Sequence, residues 1–252
     1  MSEGMHYLGI PTTRAASLVT STSTVVRDPH YDGTRLDEPC TIVSRLAPNY
    51  FRFGSFEVFK SQEVGRGGRA GPSAGNTVMH KQLLEYIITH YYPGVAGVAD
   101  PRTRVRAFFA EVVSRTARLV AGWDGVGWVH GVLNTDNMSI MGLTIDYGPF
   151  AFMETFDPDF TPNGSDGSAR YSYGRQAAMC RWNCLKLAEA LSPFLDMDSA
   201  ESIVKASFDE VYVFLGLSPT SPPPAQFTTT SPPGVSLLSS HAYLHATRPL
   251  GP

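Results

Sequence analysis

The sequence predicts an α+β chain in which a small strand-bearing N-terminal part precedes a mostly helical body. Three observations carry this prediction. Residues 39–46 (Pro39-Cys40-Thr41-Ile42-Val43-Ser44-Arg45-Leu46) are β-branched and roughly alternating, which reads as a strand. Apolar residues then recur at helical spacing in four segments beyond residue 77. Finally, residues 217–252 hold eight of the 19 prolines and a single charged residue, Arg248. A stretch such as Ser218-Pro219-Thr220-Ser221-Pro222-Pro223-Pro224 cannot continue a helix or a central strand, so 218–252 is expected to be a disordered Pro/Ser/Thr-rich tail.

Each element follows in turn. Met1-Ser2-Glu3-Gly4 has neither a positive n-region nor an apolar h-region, so it is no secretory signal. Residues 11–27 are rich in Ser and Thr, with Arg14 and Arg27 and no acid. That composition mimics a transit peptide, but we read it as internal domain sequence. Residues 61–77, with Gly65, Gly67 and Gly68 among arginines, read as a flexible insertion. Residues 78–91 form a helix on Leu83, Leu84, Ile87 and Ile88. The strongest periodicity lies at 104–123, where Val105, Phe108, Phe109, Val112, Val113, Leu119, Val120 and Trp123 make one apolar stripe. Arg102, Arg104, Arg106, Arg115 and Arg118 sit largely off that stripe, on an expected solvated face. Helix 176–191 is carried by Ala178, Trp182, Leu185, Leu187, Ala188 and Leu191. A last helix, about 197–215, rests on Ile203, Val204, Phe208, Val211 and Phe214.

Composition bounds the function. With 252 residues the chain suits one or two domains and can bury a real core. The net charge of −3 shows no basic excess, so a sequence-independent grip on nucleic acid is not expected. No run of about 18 apolar residues is present, so no membrane span is expected. Three cysteines do not make a disulfide scaffold. Cys180 and Cys184, four apart on a helix, read as packing thiols.

The informative segment is 130–148. His130 is followed seven residues later by Asn137. Met138–Met141 and Leu143–Ile145 then read as two short strands around Gly142, a tight hairpin. The hairpin delivers Asp146-Tyr147-Gly148. A histidine, an asparagine at this spacing, and then Asp-aromatic-Gly is the skeleton of a kinase-like catalytic loop. Mg²⁺ is a hard cation that takes few protein oxygens and completes its shell with water and phosphate. The Asn137 amide and the Asp146 carboxylate supply such a pair. His130 reads as a buried brace rather than a chemical participant. In protein kinases the base stands two residues after the histidine. That position is Val132, which cannot accept a proton. Asp136 is the nearest carboxylate that could replace it, and it could equally cap the hairpin or hold water around the metal.

These residues resemble the selenoprotein O family (YdiU/UPF0061), kinase-fold proteins that transfer AMP to protein hydroxyls. The likeness is carried by His130-Gly131-Val132-Leu133-Asn134-Thr135-Asp136-Asn137-Met138-Ser139-Ile140 and by Thr144-Ile145-Asp146-Tyr147-Gly148-Pro149-Phe150. Leu8-Gly9-Ile10-Pro11-Thr12-Thr13-Arg14-Ala15, Arg45-Leu46-Ala47-Pro48, Arg52-Phe53-Gly54 and Trp182-Asn183 extend it over residues 2–217. The resemblance implies a protein-kinase-like fold: a partial N-lobe at 1–60, the insertion at 61–77, a helical C-lobe at 78–217, then the tail. It implies that Asp136 accepts the proton, that Asn137 and Asp146 hold Mg²⁺, and that Arg45 and Arg52, with Asp146, bind ATP. The implied reaction is attack by a Ser, Thr or Tyr hydroxyl of a protein on the α-phosphorus, with pyrophosphate leaving. Expected partners are therefore ATP and protein substrates, with neither nucleic acid nor membrane. The location implied for a eukaryotic member is mitochondrial, otherwise cytoplasmic. Set against the family, the glycine-rich segment and nucleotide-binding lysine fall before Met1, and Pro162 stands where many members carry a cysteine. The expected activity of this chain is accordingly weak. The alternatives are an inert nucleotide-binding pseudokinase and a small-molecule phosphotransferase, the latter disfavoured by Val132.

Overall fold

The computed structural model describes residues 1–28, 32–60 and 71–215. The expected tail, and most of the expected insertion at 61–77, lie outside the described residues. A short helix α1 (Ser2–Tyr7) leads into an antiparallel ribbon of β1 (Arg14–Arg27) and β2 (Leu36–Leu46). The register pairs Arg14 with Leu46, Leu18 with Val43, Val19 with Ile42 and Arg27 with Leu36. The Ser/Thr-rich stretch is thus folded sequence: its threonines and valines suit a pleated strand. Nearly every residue of the ribbon is exposed.

The helical body follows: α2 (Gly54–Glu57), α3 (Thr77–Tyr91), α4 (Pro93–Ala96), α5 (Pro101–Gly125), α6 (Gln176–Ala190) and α7 (Met197–Leu215). Helix α5 is the axis. It starts where Asp100 caps it by accepting the Thr103 N–H at 2.8 Å, with Pro101 as its first residue. Its predicted stripe is buried, with Phe108, Phe109, Val112, Val113 and Val120 all at 0% exposure. Each such side chain contributes roughly 1.5–3 kcal/mol by leaving water. Helices α6 and α7 pack along it, and its C-terminal turns are buried on every side. Met5, Ile10, Phe53 and Phe56 from the N-terminal segment join the same core.

Three expectations are corrected. Residues 138–145 are not two strands but a tight turn closed by one antiparallel bridge, Met138 to Thr144. Its two arms pair outward instead, Ser139 with Arg52 and Thr144 with Thr12. Gly142 allows the turn at φ +67°, where a Cβ would collide with the Cβ of Arg115 and crowd its carbonyl. Next, Trp182 and Phe214, expected on buried faces, are 41% and 73% exposed. Helix α6 instead buries Gln176, Cys180, Asn183, Cys184 and Leu187, so polar residues occupy part of its inner face. Finally, not all arginines of α5 are free: Arg104 pairs with Glu85 at 2.7 Å, and Arg115 pairs with Glu111 while lying over the Tyr92 ring. Cys180 and Cys184 are fully buried free thiols, as expected, and burial pushes the Cys184 thiol up to about 12.

The polar residues inside α6 have a purpose. Gln176 donates to Asp124 Oδ1 and to the Trp128 carbonyl, both at 3.0 Å, and accepts the His130 N–H at 2.9 Å. Tyr212 of α7 bonds the other Asp124 oxygen at 2.6 Å, and Tyr173 donates to the Asp124 carbonyl at 2.9 Å. Desolvation raises the Asp124 carboxyl to about 7, against the lowering effect of Tyr212 and Gln176. The folded state therefore keeps this proton at pH values where the unfolded chain has lost it. Stability from this group is full below about pH 4 and is lost as pH rises through about 7. Asp124→Asn mimics the protonated form, since its amide can donate to Tyr212. The melting temperature of the native chain relative to Asp124→Asn should fall steadily from pH 4 to pH 8, measured by calorimetry; a constant difference would refute the buried neutral carboxyl.

Candidate functional site

The site grows out of a loop that is anchored before it reaches its reactive residues. The short strand β3 (Trp128–Val129) pairs with β4 (Ala151–Phe152) and leads to His130. His130 is 1% exposed, packed edge-on to Trp123 and Trp128. Burial lowers its pKa to about 4, more than the nearby Asp146 charge raises it. It is a neutral core imidazole whose Nδ1 accepts the Val132 N–H at 3.3 Å, the bracing role expected of it. Gly131 follows at φ +81°, with the Pro149 carbonyl where a Cβ would stand. Leu133 is fully buried, and its carbonyl accepts a bond from Asn183 of α6 at 3.0 Å.

Asn134 then caps a single 3-10 turn, Thr135–Asn137. Its side-chain oxygen accepts the N–H groups of Asp136 and Asn137, each at 3.1 Å. Thr135 donates its hydroxyl to Glu57 Oε2 at 2.6 Å. Asp136 is exposed, and its carboxylate rests on Gly54, where any Cβ would overlap the carboxylate oxygen. The Asn137 amide nitrogen donates to the Val132 carbonyl at 2.9 Å, which fixes the direction of the amide.

The five residues singled out from the sequence come together. Asn137 immediately precedes Met138, and Asp146 lies two residues after Thr144. The Met138–Thr144 bridge therefore sets both at the open end of one turn. Arg52 donates to the Asp136 main-chain oxygen at 2.7 Å. Arg45, at the end of β2, donates to the carbonyl of Ile145, the residue before Asp146, and lies over the Tyr50 ring. One arginine thus reaches each half of the turn.

Two oxygens of the kind a hard cation takes are left over. Asn137 spends its nitrogen on Val132, so its oxygen has no bonding partner among the described residues. Asp146 accepts the Tyr147 N–H on Oδ1 at 3.0 Å, and its Oδ2 likewise has none. One amide and one carboxylate oxygen suit Mg²⁺ held mainly by phosphate and water. Among the described residues no group of three or more His, Cys, Asp or Glu could hold a metal alone.

Sequence reasoning gave no role to Asn134, Glu57, Gly54 or Gln176. Asn134-Thr135-Asp136 carries a turn-capping signal that could have been read. Glu57, Gly54 and Gln176 act across 46 to 82 residues of chain and leave no local sign. Asn134→Ala should destabilise the turn by about 1 kcal/mol. Hydrogen exchange at the Asp136 and Asn137 amides should accelerate, while exchange in α5 should not change; unchanged exchange at both amides would contradict the capping role.

Comparison with known proteins gives the family. Residues 1–214 match the family described as "Protein adenylyltransferase SelO". "Protein adenylyltransferase SelO, mitochondrial" of Homo sapiens is 55% identical over 210 residues, covering 82% of this chain and 31% of the human protein. "Protein adenylyltransferase SelO-1, mitochondrial" of Danio rerio is 56% identical over 204 residues, covering 81% of this chain and 29% of that protein. "Protein nucleotidyltransferase YdiU" of Aromatoleum aromaticum is 47% identical over 193 residues, covering 76% of this chain and 34% of that protein. The chain spans about a third of the length of the curated relatives it matches. With its match running from the first residue through most of α7, the chain belongs to the SelO family.

Proposed function

We propose that the chain carries the nucleotide- and metal-binding part of a protein adenylyltransferase of protein-kinase-like fold, one that moves AMP from ATP to Ser, Thr or Tyr hydroxyls of proteins. The observation that carries this reading is the Met138–Thr144 bridge, which sets Asn137 and Asp146 on neighbouring arms of one turn, with the exposed Asp136 directly before Asn137 and Arg52 bonded to its main chain. The names of the relatives support nucleotidyl transfer to protein. Those of the animal relatives support a mitochondrial location should the source be eukaryotic.

In this reading Arg45 and Arg52 hold phosphate oxygens. A guanidinium suits the task because its planar fork pairs bidentately with phosphate and its charge does not titrate away. Asn137 and Asp146 hold Mg²⁺, which offsets charge on the phosphates and on the departing pyrophosphate. Asp136 takes the proton of the incoming hydroxyl. The hydroxyl oxygen forms a bond to the α-phosphorus as the bond from that phosphorus to the pyrophosphate oxygen breaks. His130 stays neutral and keeps the loop in place, and Gly54 leaves the space in which the Asp136 carboxylate sits.

The test uses ATP labelled at the α- or the γ-phosphate, with Mg²⁺ and a protein acceptor. Label transferred from the α-position alone supports the reading. Transfer from the γ-position alone indicates a phosphotransferase, and binding with neither indicates an inert module. Asp146→Ala should abolish α-label transfer. Asp136→Asn should keep nucleotide affinity and slow transfer about 10²–10⁴-fold, the usual weight of a general base; equal loss of both would make Asp136 structural. Gly54→Ala should slow transfer at least about tenfold with little change in melting temperature, because the new methyl displaces the Asp136 carboxylate.

A further inference from the structure

Trp182 differs from the other two tryptophans. Trp123 and Trp128 are buried, at 1% and 0% exposure, whereas Trp182 is 41% exposed on the outer face of α6. Two cations are ordered against it: the Arg170 guanidinium and the Lys186 ammonium each lie 5.1 Å from its ring centroids. Arg170 also lies 5.7 Å from the Tyr171 ring. The turn that presents Arg170 is over-determined. Asp166 accepts the Arg170 N–H at 3.0 Å, the Tyr171 N–H at 2.8 Å and the Ser168 hydroxyl at 3.1 Å. Ala169, in between, has φ +50°, the one positive φ outside glycine among the described residues. Such a conformation persists where surrounding bonds impose it.

This surface is tied to the candidate-site loop by three sets of contacts. Asn163, upstream of the turn, donates to the Gly131 carbonyl at 3.0 Å. Asn183, next to Trp182, donates to the Leu133 carbonyl. Lys186 and Lys60 both pair with Glu189, and Lys60 also lies 4.0 Å from Glu57, whose carboxylate holds Thr135 beside Asp136. The charges are not balanced within the patch. Lys186 and Lys60 share Glu189, with Glu57 4.0 Å from Lys60; the Asp166 carboxylate is taken up by N–H and hydroxyl groups of its own turn; and Arg170 and Arg175 make no ion pair among the described residues. This excess of positive charge lies on a chain of net charge −3.

We propose that Arg170, Tyr171, Trp182 and Lys186 form a docking surface for the protein substrate and receive an acidic segment flanking its hydroxyl-bearing residue. Trp, Tyr and Arg are the residue types in which interface energy concentrates. Here they are ordered before any partner arrives, which lowers the entropic cost of docking. Stacking on an aromatic face leaves the guanidinium N–H groups free at the ring edge, where a carboxylate forms charge-assisted bonds. The identity of the docked protein as a substrate rests on the AMP-transfer reading, but docking itself is measured without nucleotide.

The probe is a short synthetic peptide of glutamates and glycines around one serine, titrated into the full chain at low salt. Because Trp182 is the exposed tryptophan, its emission reports binding directly, and Trp182→Phe identifies the signal. Calorimetry gives the affinity independently. The Glu peptide should bind saturably, weaken with added salt, and bind about tenfold more weakly to Arg170→Ala and more weakly still to Arg170→Glu. The same peptide with Gln for Glu should lose at least about tenfold. Nucleotide binding by Arg170→Ala should match the native chain, which also shows that the variant folds. Equal binding of the Glu and Gln peptides, equal binding by Arg170→Glu, or equal binding of an oligothymidylate or of anionic phosphatidylserine vesicles would overturn the proposal. Peptide docking without any α-label transfer would instead overturn the AMP-transfer reading and leave the acidic docking surface standing.

Discussion

The arrangement depends on one small constraint: the turn from Met138 to Thr144 closes on a single bridge and gives four further backbone hydrogen bonds to the N-terminal segment. Phe53 donates to the Met138 carbonyl at 2.9 Å, and Ile140 donates to the Phe51 carbonyl at 3.2 Å. On the other arm Thr144 donates to the Pro11 carbonyl at 2.9 Å, and Thr13 donates to the Thr144 carbonyl at 3.1 Å. Backbone polar groups buried in this region must be paired. The pairing that results joins three distant stretches of chain, 11–13, 51–53 and 138–144. Arg52 and Gly54 thereby come beside Asp136, while Asn137 and Asp146 leave the turn on neighbouring arms.

Behind that junction lies a second constraint, the buried carboxyl of Asp124. It links α5, α7 and the Tyr173 turn, and through Gln176 it reaches the backbone of Trp128 and His130. A neutral carboxyl with every oxygen bonded costs far less than a buried charge and still orients its partners. The candidate site is therefore held from both directions. Hydrogen bonds from the N-terminal segment hold its outer edge, and a fully buried polar network holds its inner edge. The exposed residues between them, Asp136 above all, need contribute little to stability.

Much of this was legible in the residues. The helices at 78–91, 104–123, 176–191 and 197–215 follow from apolar spacing, because a helix in a core must bury a stripe. The five candidate residues were singled out from motif spacing and family likeness. Other features were not. The two-strand reading of 138–145 failed because local alternation says nothing about which segment a strand arm pairs with. Trp182 was misplaced because it satisfies helical spacing yet is held at the surface by Arg170 and Lys186. Gln176 and Asn183 have polar side chains and carry no apolar signal in the sequence, yet both are fully buried, since their amides satisfy the loop from within.

By itself the sequence determined where helices run and the family to which the chain belongs, and it singled out the residues proposed for the site. It could do so because periodicity and motif spacing are local properties, read within a few turns of chain. Only the tertiary structure decided that Arg45 and Arg52 reach opposite halves of the turn between Asn137 and Asp146, that burial holds the His130 pKa low, and that Gly54 makes room for Asp136. Each of these rests on contacts or burial created by segments far apart in the chain, and those distances are set by packing and backbone pairing rather than by the identity of neighbouring residues.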